Sequence, residues 1–135
     1  DVAGNNSGLT YAPPNTSAVT VNIAGTAEFE WQNNSGTDIT SYDYGTPGVD
    51  TSYTFRVANI GSQTSAIPSV SVTNSDGGHF VINTDNCSGT LTPGSFCTVI
   101  VDWIEAGATG ARAGSIQVTG SPGGTDALTL NGTKL

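Results

Sequence analysis

The sequence predicts an all-β protein: an immunoglobulin-like antiparallel β-sandwich of about seven to eight strands, preceded by an extended N-terminal arm. Three observations predict it. Short runs of alternating apolar and polar residues recur along the chain with the period of two of half-buried strands. Clusters of Gly, Pro, Asn, Asp and Ser punctuate these runs roughly every eight to twelve residues, the turn spacing of a small sandwich. No segment carries a helical period.

Residues 1–17 (DVAGNNSGLTYAPPNTS) are rich in Gly, Asn, Ser and Pro, with Leu9 and Tyr11 the only large apolar residues; this is the composition of an arm. Residues 18–23 follow with Val19, Val21 and Ile23 on one face, a strand with no obvious partner nearby. Its sequence AVTVNIAGT parallels ALTLNGT at residues 127–133. Two readings stay open: the last strand of a preceding repeat, or a strand donated to a neighbouring copy. The chain therefore divides into residues 1–26, the arm with its candidate donated strand, and residues 27–135, the sandwich.

The sandwich begins with Ala27, Phe29 and Trp31 facing in and Glu28, Glu30 and Gln32 facing out, closed by a turn at Asn33-Asn34-Ser35-Gly36. After a connection over residues 38–48, Tyr53, Phe55 and Val57 alternate with polar neighbours up to Asn59-Ile60-Gly61-Ser62. Val70 and Val72 give the next strand, and residues 74–78 (NSDGG) a strong turn before a strand at residues 80–82. Cys97, Val99, Val101 and Trp103 then share a face; residues 114–119 and 128–131 complete the set. Cys87 and Cys97 stand ten positions apart around the turn Thr92-Pro93-Gly94-Ser95. A bridge closing that loop stabilises by roughly 2 to 3 kcal/mol and is preferred over two unpaired buried thiols.

Phe80, Ile82, Cys87, Gly89, Leu91, Pro93, Gly94, Cys97, Val99, Val101, Gly110, Arg112, Ile116 and Val118, with the closing LTLNGT at residues 128–133, form a pattern. It resembles the hydin-type (ASH) immunoglobulin-like modules, those of the "choice-of-anchor D" kind in bacterial surface proteins. Asp43-Tyr44-Gly45 and TSYTFRVANIGS at residues 51–62 resemble the opening of that module. The resemblance covers about residues 39–135. It departs at Trp103-Ile104-Glu105, where the family has Phe followed shortly by proline. It implies the sandwich and a bacterial surface setting, and says almost nothing of activity.

With 3 Lys and Arg against 11 Asp and Glu, the 135-residue chain carries a formal charge of -8. Such a surface repels phosphate backbones and anionic headgroups, so neither nucleic acid nor a membrane is an expected partner. No apolar run is long enough to span a bilayer. Low charge, abundant Ser, Thr, Asn and Gly, and two bridgeable cysteines suit an exported domain at the cell surface. A chain starting at Asp1 with no Met suits removal of an export signal, or trimming.

Chemistry is sparse. There is one histidine, His79, beside a Gly-Gly turn and read as a loop residue, and no nucleophile elbow, phosphate loop or paired zinc histidines. Asp102 and Glu105 are the nearest thing to an acid-base pair, but glycosidase work needs a cleft between two carboxyls. No enzyme and no cofactor are expected. Asp76, Asp85 and Asn86 lie in loops that calcium favours, yet no calcium array is present and solvated turn groups are the preferred reading. Trp31 and Trp103 fall on core faces, while Tyr42 and Tyr44 stay open as sugar-stacking candidates. Lys134, at the end of the chain, is a poor donor for an isopeptide crosslink.

What remains is assembly. The sequence is read as a structural subunit of an extracellular, pilus-like filament. Its partner is itself, head to tail, with Val19, Val21 and Ile23 filling a groove left open in the next copy. Two alternatives are a repeat of a surface adhesin or stalk, with a host or matrix ligand, and a carbohydrate-binding module.

Overall fold

The computed structural model describes residues 25–74 and 78–135. These form eight strands: β1 (Phe29–Gln32), β2 (Ser41–Asp43), β3 (Thr51–Asn59), β4 (Ser69–Asn74), β5 (Phe80–Asp85), β6 (Phe96–Trp103), β7 (Gly110–Gly120) and β8 (Gly124–Lys134). One sheet has the order β1-β3-β6-β5 and the other β2-β8-β7-β4. This is the constant-type immunoglobulin arrangement, with the first strand split between the two sheets.

All pairs are antiparallel except one: β2 runs parallel to β8, with Tyr42 opposite Leu130. The sequence reading had no strand at residues 41–43, because three residues are too few to show an alternation. β7 and β8 are also longer than their apolar residues suggest, since Gly110 to Gly114 and Gly124 to Asp126 continue the ladder without adding to the pattern. Backbone pairing extends them.

The alternation does decide what faces inward. Phe55, Val57, Val99, Val101 and Trp103 of one sheet meet Ile116, Val118, Leu128 and Leu130 of the other, all fully buried. Each such aliphatic or aromatic side chain stabilises by roughly 1.5 to 3 kcal/mol on burial. Trp31 packs edge-on against Phe55, with ring centroids 6.3 Å apart. Gly132 faces Trp103 so closely that a Cβ there would lie 2.5 Å from the indole Cζ3, so β8 passes the ring only as glycine.

The chain enters and leaves at opposite ends. At the upper end Glu28 bridges Gly123, just before β8 begins, and Phe29 N–H donates to Gly123 O at 2.8 Å. At the lower end Lys134 pairs with Gly110. The first described strand thus starts at the end of the sandwich opposite to the one where β8 finishes.

Asn59, fully buried, organises the upper end. Its Oδ1 accepts from Glu28 N (3.1 Å) and Gly61 N (3.0 Å), and its Nδ2 donates to Gln63 O (2.6 Å) and Leu91 O (2.9 Å). Ser62 N–H then donates to Thr26 O at 2.7 Å, fixing the point where the chain arrives. One amide ties the first strand to two turns.

Candidate assembly surface

Cys87 and Cys97 are joined, with Cα atoms 5.2 Å apart, and the bridge pins the segment after β5 to the start of β6. Val19, Val21 and Ile23 lie outside the described residues.

The residues weighed for chemistry are each engaged separately. His79 is a loop residue, in the bend just before β5, but a buried one: it is 7% exposed, its Nδ1 3.1 Å from Ile104 O and its Nε2 accepting from Arg112 Nε at 2.9 Å. The Nε2 lone pair is taken up by the Arg112 guanidinium and is not offered as a base. Asp102 accepts from Ser52 Oγ and Asn83 Nδ2, both at 2.7 Å, whereas Glu105 accepts from Trp103 Nε1 at 2.7 Å and lies 3.1 Å from Lys134 Nζ. The two carboxylates face different partners. Lys134 is a paired strand residue with an ionic partner, not a loose end.

Asp85 accepts from Cys87 N–H at 2.8 Å and Asn86 Nδ2 donates to Thr98 Oγ1 at 3.0 Å, while Asp76 falls outside the described residues. Among the described residues no three carboxylate, histidine or cysteine side chains gather as metal ligands, and no cavity opens. Trp31 and Trp103 are fully buried. Tyr42 packs between Tyr44 and Tyr53, and the Tyr44 hydroxyl donates to Val101 O at 2.6 Å. Burial pushes the Tyr44 phenol well above its usual range. Its hydroxyl faces inward, away from any sugar.

Glu105 offers a pH test. The Trp103 hydrogen bond, with help from Lys134, holds its carboxyl below the usual carboxylate range. A lowered folded-state pKa stabilises above the unfolded value and loses that contribution as pH falls through the folded one. Glu105→Gln should therefore melt lower than the parent at about pH 7, with the gap closing towards about pH 3. Thermal melts of the two proteins across that range check it.

No cleft opens among the described residues, and of the four sheet edges three are covered, short or bulged. Along β1, Phe29 N–H is taken by Gly123 O, Trp31 N–H by Asp126 Oδ2 at 2.8 Å, and Trp31 O by Ile39 N–H. β2 is three residues long and carries Asp43. β5 is bulged between Ile82 and Thr84, and the Asn74 amide clasps Phe80 by accepting from its N–H (2.8 Å) and donating to its carbonyl (3.0 Å). Short, bulged or covered edges are how sheets avoid unwanted pairing.

β4 has none of these devices. Its six residues, SVSVTN, pair with β7 in unbroken register and include no charge and no proline. Val70 and Val72 remain half-buried while Val118 and Ile116 beside them are fully covered. Among the described residues nothing takes up the outward backbone groups of Ser69 to Thr73. Sequence reasoning found the strand but not its edge position, which depends on topology.

No family model matches the chain, and no curated protein matches it in sequence. Solved structures do. The chain is similar to part of the secreted serine protease VesC from Vibrio cholerae, at 13% identity and a TM-score of 0.58, over 78% of this chain and 23% of that one. It is similar to part of a family 123 glycoside hydrolase from Clostridium perfringens, at 9% identity and a TM-score of 0.54, over 82% and 27%. Against the ASH / PapD-like domain 7 of human CEP192 the likeness spans 96% of both chains, at 16% identity and a TM-score of 0.50. The chain thus spans about a quarter of the length of the two bacterial proteins, and the likeness is one of fold.

Proposed function

We propose that this chain is a non-catalytic structural unit of an extracellular assembly, a filament or pilus-like fibre. Copies stand head to tail, and residues 18–23 of one pair with a sheet of the next. The observation that carries the reading is that one chain holds both an alternating segment, with Val19, Val21 and Ile23 on one face, and a sheet edge at β4 whose outward backbone groups are not taken up among the described residues. Because β8 already occupies the last-strand position, a donated strand adds to an edge and does not fill a groove. The Cys87–Cys97 bridge supports an oxidising compartment. The closed interior and the separately engaged His79, Asp102 and Glu105 support a role without catalysis.

A second reading is a repeat of a longer surface adhesin or stalk, of the choice-of-anchor D kind that the sequence resembles. The echo of β8 favours it: Ala18-Val19-Thr20-Val21-Asn22 matches Ala127 to Asn131, whose Leu128 and Leu130 are fully buried core residues. In that case residues 18–26 close a preceding sandwich, and the strand is not exchanged.

Electron microscopy with light scattering separates the two. The full chain is expected to form fibres or high oligomers, and a chain starting at Ala27 is expected to stay monomeric. Monomers from both would overturn strand exchange and leave the repeat.

A further inference from the structure

We infer that the outward edge of β4 is the acceptor, taking residues 18–23 of a second copy as an added strand of the β2-β8-β7-β4 sheet. The inference rests on the strand-exchange reading and supplies the edge and the register. β1, β2 and β5 are closed by their own chain, short or bulged, so β4 is the described edge on which a ladder of backbone bonds has room to form.

Length and pattern agree. β4 has six residues and so does the segment 18–23. In β4, Val70 and Val72 lean towards the core while Ser69, Ser71 and Thr73 face out. In the segment, Val19, Val21 and Ile23 alternate with Ala18, Thr20 and Asn22. The antiparallel register that sets Ile23 beside Val70 and Val21 beside Val72 keeps the aliphatics on one side and brings Asn22 beside Ser71; a slip of one residue would expose all three aliphatics. In this register the incoming side chains cover the half-open Val70 and Val72. Charge favours the same joint, because neither strand carries an ionised residue in a chain of net charge -8.

Reach argues for exchange between copies. Thr26 is held beside β1, which lies at the opposite side of the sandwich from β4. Crossing means three strand spacings of about 4.8 Å and a sheet separation of about 10 Å. Residues 23 to 26 span at most about 11 Å. A second copy is under no such limit.

The test mixes two full-length proteins, Asn22→Cys and Ser71→Cys, one of them ¹⁵N-labelled, with a short bismaleimide, after circular dichroism has shown both folded. A parallel mixture uses Asn22→Cys with Asn83→Cys on the β5 edge. A mixed-isotope dimer in the first mixture, at least tenfold over the second, is expected. Crosslinking that favours the Asn83→Cys mixture would overturn β4 as acceptor while leaving strand exchange intact. Crosslinking confined to one chain in an Asn22→Cys, Ser71→Cys double variant would show that the strand folds back on its own copy. No crosslink in any mixture, with monomeric scattering, would remove the strand-exchange reading itself.

Discussion

Asn59→Ala is expected to cost about 3 kcal/mol, a large fraction of the stability of a domain this size. The side chain is fully buried and its amide satisfies two N–H donors and two carbonyls, of which the Leu91 carbonyl is buried with it. Each buried group left without a partner costs about 1 to 3 kcal/mol, moderated where the structure relaxes. Asn59→Asp keeps the acceptor but turns a buried carboxyl oxygen on the Gln63 and Leu91 carbonyls, and should cost at least as much as the alanine. Denaturant unfolding of the three proteins measures this; an Asn59→Ala loss below about 1 kcal/mol would mean that the upper end does not depend on the clasp. The variant should also loosen the hold on Thr26, and hydrogen exchange at Ser62 N–H reads that directly.

Replacing both Cys87 and Cys97 by serine should cost about 3 kcal/mol and lower the melting temperature by about 10 °C, from the entropy of the loop that the bridge closes. Cys87 is buried, so the serine hydroxyl adds a polar group to an apolar site. Alanine at both positions separates the contributions, since it keeps the loop open and omits the hydroxyl. Differential scanning calorimetry of the three proteins gives the ordering expected: parent, then the alanine pair, then the serine pair. A parent that melts no higher than the alanine pair would show the loop already ordered when unfolded.

Much of this fold was legible in the sequence because alternation is a direct record of burial. Phe55, Val57, Val99, Val101 and Trp103 read as one inward face and are one. What escaped was held by backbone or by single polar contacts. β2 makes its ladder in three residues. His79 is the loop residue that its preceding glycines announce, but its burial was not legible, because the Arg112 and Ile104 contacts that cover it come from distant parts of the chain. Asn59 stands in an Asn-Ile-Gly-Ser run that reads as a turn, and it took the positions of Glu28, Gln63 and Leu91 to make it a hub. For the assembly surface the limit was sharper: β4 and β5 have similar patterns, but only the strand order and the Asn74 clasp make one edge open and the other shut.

The split first strand has a mechanical meaning. In the repeat reading, where units follow one another in one continuous chain, tension pulls upward on β1 and downward on β8, parallel to the strands. The β1–β3 bonds and the parallel β2–β8 bonds are then loaded in shear, so they must fail together and not one after another from an end. Rupture under load is governed by the rate of that concerted step more than by equilibrium stability. In this geometry the unit is a stiff link whatever its equilibrium stability.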